Sequence, residues 1–473
     1  MKRIAIIGAG IAGLSTAYYL SKSSQQGGEQ LEIALLEKEG RLGGSLFTER
    51  ADGFLLEGGP DCFISEKPWA LQLCRELGLE QEVIGTNQQL RRTFILLKGR
   101  LHEIPEGFML LAPTSLCPFI KSSLFSLPGK VRMGLDLILP RKKSETEESL
   151  AAFVLRRLGR EALERIAEPL VAGIHAGDPE TMSLKSTFPR FIDLEQGHRS
   201  IIWGMYQRKK QFAHLRPRYT MFITLRQGME GMISTLGKTL SPGVISLGEE
   251  VLGVEKMTGK PSHKPRYCLR LGGKKNAMEV DTVVLATPAF VTAKLLQGMA
   301  GDICRLLDTI PYCSTATINL AYERSQIGHP LDGYGFVVPR LEKRSIMAAT
   351  FSSVKFAGRA PEGKVLLRSF VGGAKNEDIV SWEDAKLLAA VQGDMEEVLK
   401  ITGAPRVARI NRWHKSMPQY TLGHEARLSR IERGLAKHPG LFVTGSAYRG
   451  IGISDCIHEA ELTAHKILEF IRK

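Results

Sequence analysis

The chain has 473 residues, of which 43% are apolar, 24% charged and 7% aromatic, a balance that excludes disordered, collagen-like and fibrous classes. At roughly 100–200 residues per domain, this length predicts two to four domains and leaves room to bury a large cofactor. Lysine and arginine exceed aspartate and glutamate by 64 − 50 = 14, which favours an acidic partner without choosing among nucleic acid, anionic lipid and a polycarboxylate.

Lys2–Ile7 reads as a buried strand, Ile11–Ser23 has helical spacing, and Leu31–Leu36 reads as a second strand, so the chain opens with a βαβ unit. The intervening Ser23–Gln30 is a polar loop. From Pro105 to about Ser200 the texture is helical and amphipathic, punctuated by Pro113, Pro118, Pro128 and Pro140 and by a charged turn at Arg141–Glu148. Met221–Val284 returns to strands, including Val244–Ser246, Glu249–Lys256, Tyr267–Leu271 and Thr282–Leu285. A further antiparallel sheet is predicted from Thr315–Tyr322, Gly335–Val338, Ser345–Thr350 and Val365–Phe370, followed by a helix over Glu383–Ile401. The chain closes with a strand, Leu441–Thr444, a glycine-rich turn and a helix from about Ser454 to Ile471, with Ser454 as its N-cap.

Seven cysteines with no C-x-x-C pair suggest neither a disulfide framework nor a zinc site, and a cytosolic compartment is expected. No metal is expected. No finger or stacked-aromatic module argues for a nucleic-acid partner. The first strand begins too close to Met1 for a cleaved leader, and no stretch reaches the ~20 apolar residues needed to span a bilayer.

Gly8-Ala9-Gly10-Ile11-Ala12-Gly13 matches G-x-G-x-x-G where a strand meets a helix, the arrangement that sets a pyrophosphate on a helix N-terminus. Glu37 ends the second strand, where a carboxylate accepts ribose hydroxyls. The following Lys38, Arg41, Gly43 and Gly44, and then Glu57-Gly58-Gly59-Pro60-Asp61-Cys62, are more than a nicotinamide enzyme needs. No second fingerprint follows. These residues resemble the FAD-dependent amine oxidase superfamily, in which the arginine and paired glycines wrap the dinucleotide and the second glycine turn lies beside the flavin. Gly445 and Gly450-Ile451-Gly452-Ile453 before the last helix fit the same picture, with that helix aimed at the flavin. Val251 and Trp413 complete the expected cofactor contacts, and with no cysteine in Gly445–Tyr448 one non-covalent FAD per chain is expected.

Gly59–Phe63, Gly99–Pro105, Glu168–Pro179, Met417–His424 and Tyr448–Cys456 narrow the resemblance to the porphyrinogen oxidases of haem synthesis. The resemblance implies an α/β protein in three parts: a discontinuous Rossmann-like FAD domain (1–68, 226–290, 425–473), an antiparallel-sheet substrate domain (69–105, 205–225, 291–424) and a helical subdomain (106–204) that in several members contacts the membrane. It implies a six-electron oxidation in three flavin cycles, each reoxidised by O2 to give H2O2. Hydride leaving a carbon between electron-rich pyrroles yields a stabilised cation, so no acid or base residue is required and positioning dominates. By family position the Gly173 backbone lies against the macrocycle, with a helix-ending glycine as the plain alternative.

Lys67, Thr93, His175 and Tyr420 are the expected substrate contacts, Lys67 as a propionate anchor. Thr93 stands where animal enzymes carry an arginine, with Arg91 and Arg92 just upstream. That departure, Lys67 and the net charge favour coproporphyrinogen III, with four carboxylates, over protoporphyrinogen IX, with two. Phe108–Leu139 reads equally as a weak membrane-surface contact or a packing face. Handover to a ferrochelatase is a further expectation. The rivals are an amine oxidase or carotenoid desaturase on the same scaffold, and a non-catalytic FAD- or porphyrin-binding protein.

Overall fold

The computed structural model describes residues 1–472 except 28, 110, 145, 213–217, 258–265 and 273–276, so parts of the expected Ser23–Gln30 loop, Arg141–Glu148 turn and Phe108–Leu139 segment lie outside the described residues. Five parallel strands form a sheet in the order Ile245–Leu247, Leu31–Glu37, Lys2–Ile7, Thr282–Leu285 and Leu441–Val443. Both faces are covered, which is why these strands read as continuous apolar runs. Ile4 and Ile6 pack with Leu14, Ala17, Ile457 and Ile467 on one face, while Ala5 and Ile7 pack with Val254, Leu269 and Leu296 on the other. Helix Ile11–Gln25 lies against helix Ile453–Arg472, bringing the two ends of the chain together.

A second sheet has seven strands in the order Val407–Pro418, Tyr312–Glu323, Lys364–Gly372, Ile346–Phe351, Gly333–Val337, Arg92–Leu97 and Arg100–Glu103. It is antiparallel except for the parallel pairing of Gly333–Val337 with Arg92–Leu97. Helix Asp384–Leu399 buries Leu387, Val391 and Met395 against one face. A helical layer, including Leu127–Gly134, Leu150–Arg157, Glu168–His175, Pro189–His198 and Ile201–Phe212, has its own core around Phe153, Ile166 and Phe191.

Two expectations are corrected and one strand is added. The Met221–Val284 stretch contains a helix, Glu230–Thr239, which buries Met232, Ile233 and Leu236 at i, i+1 and i+4. Val407–Pro418 is a 12-residue strand that apolar alternation does not reveal, because it is a sheet edge carrying Arg409, Arg412 and Lys415. Ser454 lies inside the last helix, which starts at Ile453, and its hydroxyl faces the Lys67 carbonyl at 3.4 Å instead of capping.

Candidate active site

At the first turn, Gly8 has φ +100°, and a Cβ on Gly13 would stand 1.9 Å from the Gly8 carbonyl oxygen. Helix and strand therefore approach to a distance only glycine permits. Gly10 by contrast faces open space, with nothing within 4 Å of where its Cβ would be. The Glu37 carboxylate accepts the Ala9 N–H at 2.7 Å and the Glu39 N–H at 3.0 Å, which fixes it at the strand end beside that opening. Gly43 donates its N–H to the Ala9 carbonyl at 2.8 Å, and a Cβ on Gly44 would meet the Gly10 Cα at 3.4 Å, so the two glycine turns lie back to back. Arg41 curls over its own turn, donating to the Leu42 and Gly44 carbonyls at 3.2 and 2.6 Å and lying over the Phe47 ring. Lys38 points to Glu39 at the surface. From the far end of the chain, a Cβ on Gly445 would sit 3.8 Å from that of Ala12.

The second glycine turn is where the seven-stranded sheet docks. The Gly58 carbonyl accepts Thr317 Oγ1 at 2.7 Å and Trp413 Nε1 at 2.9 Å, Asn319 Nδ2 donates to the Glu57 carbonyl at 3.1 Å, and Arg368 donates to the Gly59 carbonyl. Gly59 is as tight as Gly13, with its Cβ position 1.7 Å from the Ser45 carbonyl oxygen. Just past Pro60, Asp61 pairs with Lys355 at 3.2 Å and faces Arg368 at 3.8 Å. Burial would push the Asp61 carboxyl up, but these two cations outweigh it and hold it well below the usual carboxylate range. Burial and the Asp61 charge push the Cys62 thiol up to about 12, so it is not a thiolate nucleophile near neutral pH. Burial likewise raises Glu57 to about 7, although the Met229 N–H and Thr48 hydroxyl donate to it at 2.9 and 2.8 Å.

The closing turn is stapled by Tyr420. Its hydroxyl accepts the Gly450 N–H and donates to the Ser446 carbonyl, both at 2.7 Å, and its ring stacks on His424. Expected against substrate, this hydroxyl is committed to shaping the Gly445–Gly452 turn. Gly450 has φ +95°, and a Cβ there would overlap Asp455. Asp455 receives Lys67 Nζ on both oxygens, at 2.6 and 2.7 Å. Lys67 is half-exposed, but its charge is already paired. His175 meets Phe188 edge-on, and burial, then the nearby Lys67 charge, pushes it down to about 4, leaving a neutral imidazole at pH 7. Ile451 and Gly452 precede this helix, and Ile453 is buried at its start.

Gly173 lies inside helix Glu168–His175, whose left-handed cap is Ala176 at φ 49°, so the plain alternative of a helix-ending glycine does not apply. It is exposed, and a Cβ there would make only ordinary contact with Val337 and Ala348 at 3.5 and 3.8 Å. Thr93 alternates onto the same face as Ile95, towards these residues, while Arg92 turns away to Asp332 and Glu103 and Arg91 caps Gln88. Val251 is buried at the start of its strand under the parallel sheet. The docking residues Thr317, Asn319, Lys355 and Arg368 escaped sequence reasoning. For Thr317 and Asn319 the available signal was a polar side chain at every second position of strand Tyr312–Glu323; Lys355, at the end of helix Ser352–Lys355, and Arg368, a single arginine in an apolar strand, carried no such pattern.

The open face of Gly10 fits a bound dinucleotide, as do the buried Arg368 Nε and Thr444 Oγ1, which find no hydrogen-bond partner within the protein. The fold and these paired turns define a flavoprotein oxidoreductase scaffold, and the profile of the family "flavin containing amine oxidoreductase" matches residues 11–468. The chain belongs to that family, within its porphyrinogen oxidase branch. It is 35% identical to the coproporphyrinogen III oxidase of Bacillus subtilis (strain 168), over 99% of this chain and 98% of that one. It is 30% identical to the chloroplastic protoporphyrinogen oxidase of Oryza sativa subsp. japonica, covering 99% and 88%. A crystal structure from Exiguobacterium sp. 255-15, assigned as a protoporphyrinogen oxidase, superposes with a TM-score of 0.87 at 32% identity, covering 99% of each chain. The family's cofactor is a flavin.

Proposed function

We propose that this chain is an FAD-dependent oxidase that converts a porphyrinogen to the porphyrin, with coproporphyrinogen III preferred over protoporphyrinogen IX. The relation to coproporphyrinogen III oxidases along the whole chain is the observation that supports this most. Non-covalent FAD would be held by the Gly8–Gly13, Arg41–Gly44 and Gly58–Cys62 turns, Glu37 and the Gly445–Gly452 segment, and it supplies a two-electron acceptor that O2 restores with release of H2O2. The protein's task is placement. Exposed Gly173 lets the macrocycle approach a helix backbone, and neutral His175 adds no cation beside a substrate whose oxidised carbon turns positive. The cation of Lys67, near His175, is neutralised by Asp455. Cores on either side of the parallel sheet, in the helical layer and in the seven-stranded sheet support three parts, divided as 1–68, 226–290 and 425–473; 69–105, 205–225 and 291–424; and 106–204, except that Ala70–Val83, Ile223–Leu225 and Ala293–Ile310 pack into the cores of the parallel sheet.

The test is oxygen-dependent appearance of porphyrin fluorescence from coproporphyrinogen III and protoporphyrinogen IX, measured side by side on the yellow protein. Faster turnover of the first supports the reading. No turnover of either, together with oxidation of an amine, replaces it with the amine oxidase rival.

Among the described residues no helix is long and apolar enough to cross a membrane. Within Phe108–Leu139, Phe119, Leu124, Phe125 and Met133 are buried, whereas Ile120, Leu127, Val131 and Ile138 are each more than 60% exposed. We infer a cytoplasmic protein that rests this apolar patch on a membrane surface and passes its product to a ferrochelatase. Leu127→Glu with Val131→Glu is expected to abolish co-sedimentation with anionic phospholipid vesicles. Unchanged sedimentation would exclude the contact.

A further inference from the structure

A cleft of about 420 Å³ opens between helix Glu168–His175 and the ends of three strands of the seven-stranded sheet. Its walls are Glu168, Ala172 and Ala176 on the helix, Val338–Arg340 and Lys343–Met347 across from it, and the Gly372–Asn376 turn. Four cations line it and one carboxylate. Arg344 is taken up by Glu397 and Asp394, and Lys375 by Asp178. Arg340 and Lys343 are exposed, and neither makes an ion pair among the described residues. The one acid in the lining, Glu168, accepts the Arg340 main-chain N–H at 3.2 Å, and Glu342 in the same loop faces away to the Lys98 and Gly99 N–H groups. The Glu168 charge acts on Arg340 without an ion-pair contact, and with Lys343 beside it the mouth of the cleft carries two exposed cations against one acid, which attracts anions.

Its place along the sheet says which anion. Arg368 touches the Gly59 turn, and Phe370, Val337 and Ala348 beneath Gly173 come next on that face. Gly372, four residues beyond Arg368, enters the cleft wall. At ~3.3 Å per strand residue the cleft begins about 13 Å from the flavin turn, with the Gly173 surface between them. A tetrapyrrole whose reacting edge lies at the flavin turn thus directs its opposite edge towards Arg340 and Lys343.

We propose that this cleft is a carboxylate subsite in which Arg340 and Lys343 bind the propionates on the side of the tetrapyrrole remote from the flavin. It rests on the reading of the substrate as a porphyrinogen and sharpens it: a tetracarboxylate can engage both this subsite and groups nearer the flavin, whereas a dicarboxylate fills only one. Charge selection then arises at the far end of the pocket, which accounts for Thr93 standing where an arginine is expected nearer the ring.

The test is equilibrium binding of coproporphyrin III and protoporphyrin IX to the flavin-loaded protein, read by porphyrin fluorescence. The variant combines Arg340→Gln and Lys343→Asn, asparagine being tolerated at the left-handed φ of Lys343, and Lys256→Gln on a distant strand serves as control. The double variant is expected to weaken coproporphyrin III at least tenfold and protoporphyrin IX less than threefold, with a shallower salt dependence for the former, unchanged flavin content and no change in the control. Equal weakening of both porphyrins, or of neither, overturns the subsite while leaving the proposed function standing. Failure of the parent protein to bind either porphyrin removes both.

Discussion

Gly13→Ala is expected to purify without flavin. The added methyl carbon would lie 1.9 Å from the Gly8 carbonyl oxygen; a Cβ has no rotamer to escape through and the oxygen is fixed in the main chain. Relief requires the helix Ile11–Gln25 to lift from the strand, which tilts the N-terminal N–H groups off the pyrophosphate position. Overpacking of this kind costs ~1–3 kcal/mol, which corresponds to roughly fivefold to 150-fold weaker cofactor retention if spent wholly on the bound form. Gly59→Ala should behave alike, because its methyl would stand 1.7 Å from the Ser45 carbonyl and force open the turn on which the seven-stranded sheet docks. Gly40→Ala, with nothing within 4 Å, is the matched control and should stay yellow. Flavin absorbance per chain after gel filtration decides the matter: full absorbance in Gly13→Ala would mean that the first turn does not hold the cofactor.

The same contrast explains what the sequence disclosed. Glycines at 8, 13 and 59 are legible because backbone crowding leaves no other residue possible, and that crowding has a fixed spacing along the chain. The buried strands around Ile4 and Val283 were legible because burial on both faces leaves them almost wholly apolar. The turn-shaping role of the Tyr420 hydroxyl was not legible for the opposite reason: its partners, Ser446 and Gly450, are 26 and 30 residues away, so nothing near it in sequence marks a staple. Lys355 and Arg368 reach Asp61 across separations of 294 and 307 residues, the latter simply 368 − 61. Edge strand Val407–Pro418 hid because water, not core, faces much of it. Chemistry confined to one turn can be read locally, whereas chemistry assembled by sheet docking cannot.

Arg157→Met should be the most destabilising single change in the helical layer. Arg157 and Asp136 are both fully buried and form an ion pair. The guanidinium also donates to the carbonyls of Asp136 and Arg199 at 2.8 Å and of Pro140 at 3.1 Å, while Asp136 accepts Ser200 Oγ at 2.6 Å and the Ile202 N–H at 3.0 Å. One residue thus joins the end of helix Leu150–Arg157 to the segment after Leu127–Gly134, and its partner satisfies N–H and hydroxyl groups at the start of helix Ile201–Phe212. Removing the cation leaves a carboxylate buried beside orphaned carbonyls, which typically costs ~3–5 kcal/mol. Replacing both partners, as Arg157→Met with Asp136→Leu, removes the stranded charge and should recover part of the loss, though the Ser200 and Ile202 donors then go unpaired. The flavin turns belong to other cores, so Arg157→Met should keep its yellow colour at 25 °C while its first thermal transition moves down by several degrees. A shift smaller than that of the double variant would show that the pair is not what fastens these helices together.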